Sequence, residues 1–311
     1  MFALLSSLSC TSDAGLDSAG QTFTVMTFNG GTTEGLPHDE GDDAYTSEHA
    51  AIADELYENS LSWNPAEQAL SEHLADTAPR IVAFQEIFWD GWCEEIELDP
   101  QLDFVCQDYQ AGSPTQPQRL LGEAYQVACA PGQPDNCVGI HEELGRIQGC
   151  DEALCQEGLE GMAPPDGCSN GARIGRVIVE LVEGGELSVV NVHGSSGLDA
   201  ETRDCRVSQF QQIFEDRGDG QPAAVGASLV LGDLNTDPFR MTEADASAAY
   251  FAGQIDGRHW WWLSDETPTY GNGLTAIDHA VSNQLRGSCS SEPVWDTVYW
   301  DHMPLLCEVS W

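Results

Sequence analysis

The residues best placed to do chemistry in this chain are polar side chains that follow short apolar runs. Gly232-Asp233-Leu234-Asn235-Thr236-Asp237-Pro238 comes directly after Ala227-Ser228-Leu229-Val230-Leu231. Side chains alternate along an extended strand, so Asp233 and Asn235 point the same way while Leu234 turns back into the core. A carboxylate beside a carboxamide suits a metal-bound phosphate, although the same residue types also build ordinary turns. The arrangement recurs along the sequence: Asn29, Glu86, His193, Asp278 and the pair Asp301-His302 each end or punctuate a strand-like run. Their types are chemically complementary. Carboxylates hold a hard divalent cation, amides reach phosphate oxygens, and histidines move protons near neutral pH.

These positions require strands that deliver side chains to a common edge. Residues 22–29 are β-branched and aromatic and end at Asn29 and the turn Gly30-Gly31; residues 80–84 run straight into Gln85-Glu86. Residues 177–182, the turn Glu183-Gly184-Gly185 and residues 187–193 predict a hairpin. Further strands are expected at 227–231, 276–281 and 304–309, and helices at 48–59, at 65–75 with Pro65 in the first turn, and at 199–216. Residues 32–45 read as a polar, acidic loop. Between Cys93 and Cys168 little periodicity survives, and only loops and short helices are expected there. Strands that alternate with helices in some places and with a hairpin in others predict an α/β protein with mixed sheets and helices outside.

Composition limits the partners. The 311 residues carry 52 acidic against 11 basic side chains, a formal net charge of -41, and every basic residue is arginine. Such a surface repels polyanions and lacks the Lys/Arg clusters that grip nucleic acid through its phosphates. A nuclease remains open, since bound cations and salt weaken the repulsion, and the acidity also suits a salty habitat. No apolar run is long enough to span a bilayer.

Eleven cysteines, mostly crowded between Cys93 and Cys205, lack zinc-site spacings and predict a disulfide framework in an oxidising compartment. The odd cysteine has a place at the N-terminus. Phe2-Ala3-Leu4-Leu5 followed by Ser6-Ser7-Leu8-Ser9-Cys10 resembles the end of a bacterial lipoprotein signal, with Cys10 as the lipidated residue and ten cysteines left to pair. No positive residue precedes the apolar stretch, and Ser7 stands where such signals usually carry Leu. Residues 1–20 are thus read as a signal-like segment and tether, and residues 21–311 as one catalytic domain with a Cys-rich insert at about 93–168. The expected location is secreted or cell-envelope, with membrane anchoring through Cys10 as an option, and the expected state is a monomer.

Taken in order, Met26-Thr27-Phe28-Asn29, Phe84-Gln85-Glu86, Asn191-Val192-His193, Gly232-Asp233-Leu234-Asn235, Ala276-Ile277-Asp278-His279 and Asp301-His302-Met303-Pro304 resemble the endonuclease/exonuclease/phosphatase superfamily. That superfamily includes DNase I, the abasic endonucleases, the inositol polyphosphate 5-phosphatases and the bacterial neutral sphingomyelinases. The resemblance covers roughly residues 22–310. It implies a four-layer α/β/β/α sandwich, two packed mixed sheets with the active site at one edge. It implies Glu86 as the main metal ligand with Asn29 and Asp301 beside it. The implied ion is Mg²⁺, with Mn²⁺ or Ca²⁺ as alternatives. His302 is the implied general base, with Asp278 orienting it; Asp233 and Asn235 orient water or phosphate, and His193 is a second proton donor or phosphate clamp. Both histidines are shared with DNase I-like and sphingomyelinase-like members, so a phosphodiester of nucleic acid or phospholipid is the expected substrate. Phosphomonoester hydrolysis of the inositol-phosphatase type, or a binding protein that keeps only the fold, are the alternatives.

Some residues fall outside the motifs. His38, His49, His73, His141 and His259 read as surface or loop histidines. Arg173 and Arg176 are candidates for substrate phosphate because cations are scarce, against the commoner role of pairing with an acid. Trp260-Trp261-Trp262 reads as packing, with an interfacial lipid wedge as the alternative. Trp300 stands where the superfamily has a small Ser, and it is expected to reshape the pocket or move His302.

Overall fold

The computed structural model describes residues 22–31, 60–94, 103–131, 133–163, 165–166, 168, 173–216, 221–271, 273–291 and 300–311. Cys10, the tether, the acidic loop, the 48–59 helix, His38 and His49 lie outside the described residues.

The strands are β1 (Phe23–Asn29), β2 (Ile81–Gln85), β3 (Tyr125–Ala130), β4 (Gln133–His141), β5 (Gly145–Ile147), β6 (Leu154–Cys155), β7 (Glu160–Gly161), β8 (Ile174–Leu181), β9 (Glu186–His193), β10 (Ser228–Asp233), β11 (Trp261–Trp262), β12 (Asp278–Ser282), β13 (Arg286–Ser290) and β14 (Leu305–Ser310). The α-helices are α1 (Asn64–Thr77), α2 (Gln116–Leu121), α3 (Ala200–Phe214) and α4 (Ala246–Gln254). One sheet has the order β13-β14-β1-β2-β4-β3-β6 and the other β11-β12-β10-β9-β8-β5, with β7 paired to β8.

The two sheets repeat one arrangement. In the first, β1 pairs antiparallel with β14 and parallel with β2, which pairs antiparallel with β4. In the second, β10 pairs antiparallel with β12 and parallel with β9, which pairs antiparallel with β8. These two parallel pairs are each joined through a helix, α1 between β1 and β2 and α3 between β9 and β10. This correspondence is invisible in the sequence because it is one of topology and not of residue identity.

Strand periodicity separates the layers. Met26, Phe28, Val82 and Phe84 face Ala66, Leu70 and Leu74 of α1 in one buried cluster. Val190, Val192, Val230 and Val281 meet Phe210 and Ile213 of α3 and Phe251 of α4 in another. The intervening residues Val25, Ile81, Ala83, Val189, Leu229, Leu231, Ala280 and Leu305 fill the space between the sheets. The result is the four-layer sandwich that the resemblance implies. Asn29, His193, Asp233 and Asp278 have the same parity as the inter-sheet residues, so the strands carry them to the end of that middle layer. Just before it, Gln85 Nε2 donates to Asn191 Oδ1 at 2.5 Å, and Asn191 Nδ2 donates to the Phe84 carbonyl at 2.8 Å. These buried amides tie one sheet to the other directly beneath the edge.

The stretch from Cys93 to Cys168 departs from expectation. Instead of loops and short helices alone it supplies β3 and β4, and β4 pairs with β2 along Ile81–Phe84. These strands leave little signal in the sequence because they are largely buried on both faces, so polar and apolar positions do not alternate. Gly139 shows the constraint, since a Cβ there would lie 2.3 Å from the Leu121 side chain. The segment therefore contributes to both sheets, with β3, β4 and β6 in the first and β5 and β7 in the second.

All ten described cysteines are paired, as Cys93–Cys106, Cys129–Cys137, Cys150–Cys155, Cys168–Cys205 and Cys289–Cys307. Cys129 and Cys137 face each other across β3 and β4, and Cys289 and Cys307 across β13 and β14. Such a framework belongs to an oxidising environment. No described helix is long and apolar enough to cross a membrane.

Trp300 also departs from expectation. It is buried in the outer core of the first sheet, edge-on to Phe28 with ring centroids 5.7 Å apart. The indole fills core space and does not line the catalytic edge. The tryptophan run packs as well. Trp260 contacts Phe214 and Trp262 contacts Phe239 and Phe251, while the Arg286 guanidinium lies 3.2 Å from the Trp261 ring centre.

Candidate active site

The strand ends bring the expected polar residues together around the carboxylate of Asp233, itself buried. Its Oδ2 accepts from Asn29 Nδ2 at 3.1 Å and from Asn235 Nδ2 at 3.0 Å. Its Oδ1 accepts from the Asn235 backbone N–H at 2.7 Å. The two histidines approach the same Oδ2, His193 Nε2 at 4.0 Å and His302 Nε2 at 3.9 Å. One carboxylate thus stands between two imidazoles delivered by different sheets.

Backbone geometry makes this approach feasible. At Gly232, φ is +145° and a Cβ would lie 2.0 Å from the Val192 carbonyl oxygen, so only glycine lets β10 run this close to β9. Glu86 and Asn235 take left-handed conformations at φ 54° and 51°, which non-glycine residues adopt rarely and often at functional sites. Glu86 turns toward Asn29, whose Nδ2 lies 3.3 Å from Oε1, and toward His193, whose Nε2 lies 3.3 Å from the same oxygen. A Cβ at Gly31 would meet Glu86 Oε2 at 1.7 Å, so that glycine keeps the carboxylate accessible.

His302 is oriented from the other side. Its Nδ1 donates to Asp278 Oδ2 at 2.8 Å, which leaves Nε2 toward Asp233. Tyr270 covers the imidazole with centroids 4.8 Å apart. The Met303 N–H donates to the Thr269 carbonyl at 2.7 Å and the Asp278 N–H to Thr269 Oγ1 at 3.1 Å. Thr269 and Tyr270 carry no motif that sequence reasoning could have found. His279, one residue from Asp278, points to the opposite face and bonds Ser264 and the Ala276 carbonyl. Burial pushes its imidazole down to about 4, so it is a neutral packing residue.

The electrostatics describe a site crowded with acid. Burial pushes the Asp301 carboxyl up to about 7, and Glu86 and Asp233 add to the rise while His302 opposes it. Burial alone would raise Glu86, yet the hydrogen bond from His193, with the His302 charge and the Asn29 hydrogen bond, holds it below the ordinary carboxylate range. Burial disfavours the His302 imidazolium, but Asp278, Asp233 and Asp301 push it up to about 10. Protons are therefore retained where positive charge is wanted. A divalent cation beside these carboxylates acts in the opposite sense and lowers both groups.

The donor set fits such a cation. Asp301 Oδ1 is buried and has no hydrogen-bond partner, an arrangement that costs free energy unless something else satisfies the oxygen. The tightest acid and histidine grouping among the described residues is Asp233, Asp278 and His302, with ligand atoms within 4.8 Å of one another. Asp278 and His302 spend facing atoms on each other, however. Glu86, Asn29 and Asp301 carry the carboxylate and amide oxygens that suit a hard ion, and Asn29 Oδ1 also accepts from the Gly31 N–H at 2.9 Å.

Comparison with known proteins agrees with this arrangement. A sequence model of the endonuclease/exonuclease/phosphatase family matches residues 29–299. The chain belongs to the endonuclease/exonuclease/phosphatase family. Its members are phosphate-ester hydrolases that typically use a divalent metal, and the chain is a hydrolase of that class. The family match ends before Asp301 and His302, whose place at the site rests on the geometry above. Among solved structures, a family protein from Bacteroides thetaiotaomicron has a TM-score of 0.57 at 13% identity, covering 94% of this chain and 95% of its own. A mannosyl-6-phosphatase from the same organism has a TM-score of 0.56 at 12% identity, over 93% and 100%. The catalytic domain of human Nocturnin with bound sulfate has a TM-score of 0.52 at 14% identity, over 93% of each chain. At such identities the likeness is one of fold. Among curated protein sequences there is no significant match.

Proposed function

We propose that this family member is a divalent-metal-dependent phosphodiesterase of an oxidising, extracytoplasmic compartment, with His302 as base, His193 as hydrogen-bond donor and Asp233 between them. The observation that carries the reading is the placing of two histidines at 4.0 and 3.9 Å from one Asp233 oxygen. Cleavage of a phosphate ester by water needs one group to take the proton of the nucleophile and another to stabilise or protonate the departing alkoxide. The paired imidazoles supply both.

Asp278 holds His302 Nδ1, so proton transfer falls to Nε2, on the Asp233 side. Asp233, fixed by Asn29 and Asn235, accepts a hydrogen bond from the attacking water and aims it. Asn235 and His193 contact the phosphate oxygens. Glu86, Asn29 and Asp301 would hold the ion, Mg²⁺ by preference, which when bound supplies positive charge for the phosphate. A diester suits the site better than a monoester. Its scissile group carries one negative charge where a monoester carries two, and Glu86, Asp233, Asp278 and Asp301 already crowd the edge with carboxylates.

The packing of Trp260, Trp261 and Trp262 removes the main support for a lipid wedge. Trp261 pairs with Ser282, at the far end of β12 from Asp278.

A substrate panel tests the reading: a chromogenic phosphodiester, plasmid DNA, sphingomyelin vesicles and a chromogenic phosphomonoester, each with Mg²⁺. The diester is expected to be cleaved faster than the monoester of the same phenol by at least about tenfold in kcat/KM. Faster cleavage of the monoester, or cleavage of none of the four, would contradict it.

A further inference from the structure

We infer that Arg173 is a positioning residue that fixes the ring proton of His193 on Nε2. The inference rests on the role proposed for His193 and extends it to a residue that no motif marks as part of the site.

Arg173 directly precedes β8, and Ile174 pairs with Val192 in the antiparallel register, so Arg173 falls opposite His193. The His193 N–H donates to the Arg173 carbonyl at 2.9 Å. Cross-strand neighbours present their side chains on the same face, and here Arg173 Nη1 lies 3.0 Å from His193 Nδ1. A guanidinium has only donors and stays protonated in proteins. Nδ1 must therefore be the acceptor, and in a neutral imidazole the proton then resides on Nε2.

Nε2 is the atom that faces the chemistry, 3.3 Å from Glu86 Oε1 and 4.0 Å from Asp233 Oδ2. With its proton there, His193 presents an N–H to the reaction. With the other tautomer it would present a lone pair to two carboxylates and to any phosphate oxygen, which repel it. The two histidines are thus set to opposite roles by opposite partners. Asp278, an acceptor, holds the proton of His302 on Nδ1 and leaves Nε2 basic; Arg173, a donor, does the reverse at His193.

Long-range ¹⁵N–¹H spectra of the full chain carrying ¹⁵N-histidine, assigned with His193→Gln, read the tautomer without any turnover. The wild-type ring is expected to carry its proton on Nε2. In Arg173→Met the proton should spread over both nitrogens, kcat on the chromogenic diester should fall roughly 10- to 100-fold, and KM should change less than about threefold. Arg173→Lys, which keeps a donor and a charge, should recover the tautomer and most of the rate. A wild-type Nδ1–H, an unchanged tautomer in Arg173→Met, or a changed tautomer with unchanged kcat would each overturn the inference. If Arg173→Met fails to fold, the wild-type spectrum and Arg173→Lys still decide it. Absence of diesterase activity in the wild type would strike the functional reading and leave the spectrum to be judged separately.

Discussion

Glu86→Gln should remove hydrolysis of the chromogenic diester almost entirely, by about 1,000-fold or more in kcat/KM. The exchange is isosteric, so the left-handed turn at φ 54° and the approach to Gly31 survive. What changes is charge. Glu86 is held in its ionised form by His193, His302 and Asn29 against the cost of burial, and an amide cannot neutralise a divalent cation. Calorimetric titration with Mg²⁺ should show the same variant binding the ion far more weakly, while the melting temperature stays close to that of the wild type. A variant that binds Mg²⁺ normally would show that the ion is held elsewhere, around Asp233, Asp278 and His302.

His302→Ala should lower kcat by about 10²- to 10⁴-fold, the range typical for a lost general base, with KM changed much less. The 2.8 Å bond to Asp278 defines the mechanism of that loss. Asp278→Asn removes the charge that keeps the ring proton on Nδ1 and should lower kcat in the same direction. Added imidazole should restore part of the activity of His302→Ala, because the space it leaves lies under Tyr270 and beside Asp233. It should not rescue Asp278→Asn, where the ring is still present but misdirected. Steady-state kinetics on one diester distinguishes these outcomes.

Much of the site was legible because strand parity is a strict rule. Once residues 22–29, 187–193 and 227–231 are recognised as strands, Asn29, His193 and Asp233 inherit the direction of Val25, Val189 and Leu229, and the middle layer of the sandwich receives them all. The ends of the strands were therefore readable from one-residue alternation. Strands β3 and β4 were not, because Ala128, Cys129, Cys137 and Gly139 are small and buried on both faces and leave no alternation to detect. Trp300 follows no such rule: its neighbours in sequence are at the site, but its side chain turns toward Phe28 and the core. The pairing of Arg173 with His193 depends on the register of the β8–β9 hairpin. That register follows from the turn at Gly184 and Gly185, with φ of +92° and +91°, and no local pattern around Arg173 signals it. The cysteines were legible as a framework, since the ten expected to pair do so in five bridges. Net charge, by contrast, constrains substrates without naming one.

The most direct test of the account is turnover of the chromogenic phosphodiester by purified, oxidised protein stripped with EDTA and then titrated with Mg²⁺. Activity is expected to be absent after stripping, to return with Mg²⁺, and to stay absent in Glu86→Gln at every Mg²⁺ concentration. Hydrolysis that survives stripping, or that Glu86→Gln performs at the wild-type rate, would contradict a metal-assisted phosphodiesterase centred on Glu86, Asp233 and His302.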